Sequence, residues 1–350
     1  MSINISGTPD GMGKRAMIAR MVLCMICFLI LHPKISVADT FAYGADVGWV
    51  TQEEAAGYRF YNSAGVKSDP YVLLQNLGIN AVRLRVWVNP AGGWCNGADV
   101  LYKAQRAAAL GQRIMIDFHY SDTWADPGHQ TKPAAWASDS VAQLAVDVQN
   151  HTTDILGNLK ANNIVVDWVQ VGNEINSGML WPEGSTSNFS QLASLINSGY
   201  GATKSVYPNA KVIVHLANGY DDSDFEWFFD HLRAAGGKWD VIGMSHYPPA
   251  ASWTSYNSQI YTTMVDMVNR YGTPVMVAEV GMDWTQAGTA NSMLVDLANK
   301  VKSLGANGLG VFYWEPEAYP GWNHYNEGAL NDNGTFTNAL ARVPMRVQRR

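Results

Sequence analysis

The stretch Ile164-Val-Val-Asp-Trp-Val-Gln-Val-Gly-Asn-Glu-Ile-Asn176 decides how this chain is read. Ile164 to Val171 is a short apolar run rich in β-branched residues, the pattern of a buried strand, and it sets Gly172, Asn173 and Glu174 at its C-terminal end. A second run, Thr273-Pro-Val-Met-Val-Ala-Glu-Val-Gly281, sets Glu279 in the same way 105 residues further on. Two carboxylates on separate strand ends supply one acid and one base or nucleophile, the requirement of glycosidic bond cleavage.

Outward from this pair, strand-like and helix-like segments alternate along the chain. The strand runs are Ala42 to Val47, Ala81 to Val88, Arg113 to Phe118, Ile164 to Val171, Lys211 to Leu216, Val241 to Met244, Pro274 to Val280 and Gly308 to Tyr313. Helical periodicity marks Val100 to Leu110, Val141 to Leu159, Phe189 to Val206, Phe225 to Ala235, Ile260 to Tyr271 and Asn291 to Leu304, with Gly78, Gly111, Gly272 and Gly305 at helix-closing positions. Eight such units predict one α/β domain, a single (β/α)8 TIM barrel over residues 39–345, with its site at the C-terminal strand ends. Those ends hold Asp46, Arg83 and Arg85, Asp117, His119 and Asp122, Asn173 and Glu174, His215, Ser245 to Tyr247, Glu279, and Trp314 with Glu315. The opposite ends are far poorer in polar residues.

Residues 1–38 read differently. Lys14, Arg15 and Arg20 precede an apolar run from Met21 to Leu31, and Ser36-Val37-Ala38 offers a cleavage point before Asp39, so a secretory signal peptide is expected. The apolar run is short of the roughly 20 residues of a membrane span. Cys24 and Cys27 belong to this leader, which leaves Cys95 without an intrachain disulfide partner after processing. Losing a leader of net charge +3 takes the formal charge from −6 to −9, which argues against nucleic acid or an anionic polymer as ligand. The 13 Trp and 16 Tyr suit stacking on sugar rings, although large cores use aromatics too.

Several strand-end residues admit two readings. Arg83 and Arg85 alternate with Val82, Leu84 and Val86, so both face one side of their strand, where one of them can hold a catalytic carboxylate ionised or form a structural ion pair. Asp117, His119 and Asp122 are of metal-ligating type, but they lack the two-His helical spacing of zinc hydrolases, and hydrogen bonding to sugar hydroxyls uses the same side chains. No metal is therefore assigned. His246 and Tyr247 are candidates for the site, Tyr247 as a donor to a nucleophilic carboxylate, and Trp314 is a candidate sugar platform.

Gly44-Ala-Asp46, Val82-Arg-Leu-Arg-Val-Trp-Val-Asn-Pro90, Asp117-Phe-His-Tyr-Ser-Asp-Thr-Trp-Ala-Asp-Pro127, Lys132-Pro-Ala-Ala-Trp136, Val169-Gln-Val-Gly-Asn-Glu174 and Ala278-Glu-Val-Gly281 together resemble glycoside hydrolase family 53, the arabinogalactan endo-β-1,4-galactanases. The resemblance runs from about Phe41 to Leu340, and Asp117 to Pro127 is its most specific part. It implies a (β/α)8 enzyme that cleaves internal β-1,4-galactosidic bonds in pectin side chains with retention of configuration. It further implies Glu174 as acid/base, Glu279 as nucleophile, Asn173 on the sugar 2-hydroxyl and Arg83 as support for the nucleophile. Asp46, His119, Asp122, Trp124 and Trp314 would line the sugar subsites.

One departure is Ser245-His-Tyr-Pro248, where an aromatic is expected in place of His246; this bears on subsite preference near the sixth strand. Some relatives bind calcium in later loops, and Asn331-Asp-Asn-Gly-Thr335 leaves that open without ligand spacing to establish it; no other cofactor is expected. The same machinery acting on β-mannan or β-glucan, and a non-catalytic secreted carbohydrate-binding protein, are the alternatives. The chain is expected to act on polysaccharide as a secreted or periplasmic monomer, free of nucleic acid and membrane.

Overall fold

A computed structural model describes residues 41–341; residues 1–40, on which the expected signal peptide falls, and residues 342–350 lie outside it. Eight parallel strands close into a barrel in sequence order: β1 (Ala42–Asp46), β2 (Ala81–Val86), β3 (Arg113–Phe118), β4 (Trp168–Val171), β5 (Lys211–Leu216), β6 (Val241–His246), β7 (Val275–Val280) and β8 (Gly308–Tyr313). Around them run α1 (Val50–Ala55) and α2 (Pro70–Asn76) after β1, then α3 (Gly97–Ala109), α4 (Val141–Ala161), α5 (Phe189–Val206), α6 (Asp222–Ala234), α7 (Trp253–Tyr271) and α8 (Ala287–Ser303). The (β/α)8 expectation is thus met. No helix among the described residues is long and apolar enough to cross a membrane.

The strands read as apolar runs because both faces are covered. Outward residues such as Val82, Leu84, Val169 and Val171 join one continuous core with the inner faces of the helices. Inward residues form layers. The lowest takes one side chain from every strand, Ala42, Ala81, Met115, Trp168, Ile213, Val241, Met276 and Phe312, and closes the barrel floor with hydrocarbon. Gly44 sits directly above that layer. A Cβ there would fall 2.1 Å from a ring carbon of Phe312, so the large ring on β8 and the missing side chain on β1 are two halves of one fit.

Two or four residues further along β1 to β6, alternation brings polar groups inward: Asp46, Arg83 and Arg85, Asp117, Gln170, His215 and Ser245. β7 breaks this rule. From Met276 on the floor, strict alternation would turn Ala278 and Val280 inward and Glu279 toward the helices. The pairing with β6 instead steps from Met244↔Val277 to Ser245↔Glu279, and this irregularity re-aims Glu279 into the barrel.

Some boundaries differ from the sequence expectation. β4 begins at Trp168 rather than Ile164, because Ile164 N donates to Leu159 O and closes the end of α4, while Ile164 and Val166 bury their side chains without joining the sheet. α7 starts at Trp253, seven residues before the expected Ile260, and β6 extends through His246. Helix α1 was not expected, whereas α2 ends just before Gly78, one of the expected helix-closing glycines; Asp69 caps α2 by accepting from Tyr71 N at 2.8 Å, with Pro70 at the first helical position.

Candidate active site

Glu174 leaves β4 through a sharp backbone turn. Gly172 has φ +81° and Glu174 itself φ +47°, a left-handed conformation uncommon for a residue with a side chain. Gln130 holds the turn by donating to Asn173 O at 2.8 Å. The carboxyl reaches a cleft of about 320 Å³ that Glu279, His119, Asn173, Tyr247, Trp124, Trp314 and Tyr325 also line. Both glutamates therefore open at one mouth of the barrel.

Their surroundings differ. Glu279 Oε1 pairs with Arg83 Nη1 at 2.9 Å, and its Oε2 accepts from Tyr247 Oη at 3.0 Å. Glu174 has no ion-pair partner among the described residues; Ser245 Oγ lies 2.6 Å from its Oε1. Burial, followed by the charge of Glu279, pushes the Glu174 carboxyl up to about 8, against weaker pulls from Ser245 and Arg83. Burial also raises Glu279, while Arg83 draws it back toward the ionised form. Of the two, Glu174 is the carboxyl without an ion-pair partner and Glu279 the one paired with a guanidinium.

Arg83 is the centre of the polar layer beneath this cleft. Fully buried, it meets Asp46 at 2.5 Å, Asp117 at 2.8 Å and Glu279 at 2.9 Å, and donates to Gln170 Oε1 and Asn173 Oδ1. One cation among three carboxylates cannot keep all of them ionised in a dry interior. Burial opposes the charge on Asp117, but Arg83 and a 3.0 Å contact from His119 hold it below its ordinary range. Burial pushes Asp46 far above its own, beyond what Arg83 offsets. Arg85, two residues along the same strand face, pairs with Glu315 and lies 4.4 Å from the Trp124 ring centre.

Other expected site residues fall in different places. Asp46, expected in a sugar subsite, is fully buried under Arg83 and does not reach the cleft. Asp122 joins two loops, accepting from Asn89 N and Ala134 N, each at 2.9 Å, and stands apart from Asp117 and His119. His246 is corrected outright. Ser245 faces inward to Glu174, so alternation turns His246 outward, where it is fully buried with Nε2 2.8 Å from Asn257 Oδ1 of α7. The aromatic change expected to alter a subsite thus belongs to the packing of a strand on a helix. In the 331–335 turn, Asn331 Oδ1 accepts from Asn333 N and Thr335 N, and Asn333 Oδ1 accepts from Thr335 N and Oγ1.

Trp314 and Trp124 do line the cleft, with Trp49 behind them at ring-centre distances of 5.0 and 5.7 Å. Sequence reasoning did not single out Tyr325, whose hydroxyl donates to Trp314 O at 2.9 Å and which comes from the loop after β8. It also passed over Gln170, which sits mid-strand with its amide nitrogen 2.6 Å from Asp117 Oδ1. A lone glutamine in a β-branched run was the signal available, since an apolar barrel layer has no use for one.

Comparison with known proteins agrees with this geometry. The chain is 36% identical over 320 residues to the arabinogalactan endo-β-1,4-galactanase of Humicola insolens, covering 84% of this chain and 94% of that one. It is 34% identical to a probable arabinogalactan endo-β-1,4-galactanase A of Aspergillus terreus, covering 83% and 90%. A solved fungal β-1,4-galactanase superposes with a TM-score of 0.80 at 33% identity, over 85% of this chain and 97% of that one. The profile of Glycosyl hydrolase family 53 matches residues 42–344, and the chain belongs to that family.

Proposed function

We propose that this glycoside hydrolase cleaves internal β-1,4-galactosidic bonds of galactan and arabinogalactan with retention of configuration. The observation that carries the reading is the unequal pair: one carboxyl held protonated and one held against a guanidinium and a phenol, both on a cleft walled by indole and phenol rings. Glu174 donates a proton to the leaving glycosidic oxygen while Glu279 attacks the anomeric carbon. Water then resolves the glycosyl-enzyme as Glu174, now a carboxylate, takes the proton back. Tyr247 and Arg83 hold Glu279 in place, and Trp124, Trp314 and Tyr325 offer flat faces to the sugars. The galactan preference rests on the named relatives, and the basic-then-apolar leader supports export to the periplasm or the medium.

The test follows the first-formed product of linear galactan by proton NMR, with β-mannan and β-glucan assayed alongside. Release of β-anomer from galactan, with little turnover of the other two polymers, is the expected result. An α-anomer first product overturns retention, and faster cleavage of mannan or glucan overturns the substrate.

A further inference from the structure

On its inner side Glu174 meets a serine, and behind the serine lies a histidine. Ser245 Oγ, 2.6 Å from Glu174 Oε1, is also 2.8 Å from His215 Nε2. His215 Nδ1 is 3.0 Å from Gln170 Nε2, and Gln170 Oε1 accepts from Arg83 Nε and Nη2 at 3.2 and 3.1 Å. Arg83, Gln170, His215 and Ser245 are all buried.

The direction of these bonds follows from the end that has no choice. A guanidinium only donates, so Arg83 fixes which end of the Gln170 amide faces it, and the amide nitrogen points at Asp117 and His215. A donor against Nδ1 puts the imidazole proton on Nε2, aimed at Ser245 Oγ. The hydroxyl accepts there and turns its own proton to Glu174 Oε1. The Gln170 amide nitrogen has two protons and four acceptors within reach, Asp117 Oδ1 at 2.6 Å, Asn173 Oδ1 at 2.9 Å, His215 Nδ1 at 3.0 Å and Gly172 O at 3.1 Å. Asn173 Oδ1, also 3.0 Å from His215 Nδ1, already accepts from Arg83 at 2.7 Å, so the chain assigns one proton to Asp117 and the other to His215. The other tautomer would also draw the Ser245 proton to His215 and take from Glu174 the one side-chain donor its carboxyl has among the described residues.

We propose that Arg83, Gln170, His215 and Ser245 form a one-way chain of hydrogen-bond donors ending on Glu174 Oε1, in which His215 and Ser245 are positioning residues that keep the acid proton on Oε2, toward the cleft. This rests on the reading of Glu174 as acid/base. No proton travels along the chain: the transferred proton leaves Oε2 for the glycosidic oxygen and returns from water in the second step. With Oε1 occupied by a donor, Glu174 does not turn its proton inward. After transfer, the same bond stabilises the carboxylate. The charged groups facing Glu174 are Glu279 from β7, Arg83 from β2 and Asp126 from the loop after β3; those facing His215 are Arg83, Asp117 and His119. Burial and Arg83 keep His215 neutral, as a single-tautomer link requires.

Two measurements test the chain. In wild-type enzyme labelled with 15N-histidine, the His215 signal, assigned by its loss in His215→Gln, is expected at neutral pH as the Nε2–H tautomer; an Nδ1–H tautomer or an imidazolium overturns the proposal. Ser245→Ala is expected to lower kcat/KM on galactan by about 10- to 100-fold and to leave a dinitrophenyl galactobioside, which needs no acid, within about threefold. KM changes little, the alkaline limb of the pH profile moves up, and Ser245→Thr restores both. Equal losses on the two substrates, or an unmoved alkaline limb, overturn the chain. Glu174→Ala separates the layers. If azide does not rescue it on the activated substrate, the acid/base reading fails and takes the chain with it; if azide does, a Ser245→Ala that harms both substrates alike defeats the chain alone.

Discussion

The two ends of the same eight strands obey opposite rules. At the N-terminal end a ring of hydrocarbon from Ala42 to Phe312 closes the barrel by shape alone. Two residues later, the same inward positions hold Arg83, Asp117, Gln170 and His215, with every polar contact directed. The floor tolerates any residues of the right volume, whereas the mouth depends on which atom faces which. Stability and chemistry are thus separated by about two residues of strand, roughly 7 Å.

The largest expected effect breaks the mouth without touching the floor. Glu279→Ala should lower kcat on galactan on the order of 10⁴-fold or more, with galactan still bound in affinity electrophoresis and the unfolding transition preserved. Near-normal turnover would remove Glu279 from the mechanism. A paired comparison is sharper. Arg83→Met and Phe312→Ala should each destabilise by about 3–5 kcal/mol in urea, the first by leaving buried carboxylates unpaired and the second by opening a cavity. Only Arg83→Met should also lose kcat/KM per folded molecule; equal losses in both would mean the two ends are not separable.

The smallest effect is the most diagnostic of the mouth. Glu174 is protonated in the fold up to about pH 8 but ionises near 4.5 when unfolded, so between those values the native state binds the extra proton and its stability falls as pH rises. Glu174→Gln removes that penalty. The variant should match wild type near pH 4 and exceed it by at most about 3 kcal/mol near pH 7. A constant difference across this range would show that Glu174 is not held protonated.

How much of this was legible in the sequence depends on distance along the chain. The strand ends of Glu174 and Glu279 are local patterns, readable from β-branched runs that stop at a carboxylate. Arg83 and Arg85 on one face follow from alternation alone. The tie from Arg83 through Gln170 and His215 to Ser245 spans four strands, and only barrel closure makes those residues neighbours. His246 was misplaced for a related reason. Polar residues near a strand end were read as lining the cleft, whereas the two-residue period sends every second one into the helices. Asp46 faces inward as its position implies, but its carboxyl is fully buried against Arg83 beside it.

The slip in pairing beside Ala278 has an engineering consequence. Because that irregularity turns Glu279 around, the position of the proposed nucleophile is a property of backbone phase as much as of residue identity. Grafting Val275–Val280 onto another barrel would carry the glutamate along and still aim it at the outer helices, unless the neighbouring strand came with it. Removing Ala278, the extra residue, would place Met276 and the glutamate two residues apart on a regular strand, so the carboxylate would stay inward with no irregularity needed to turn it.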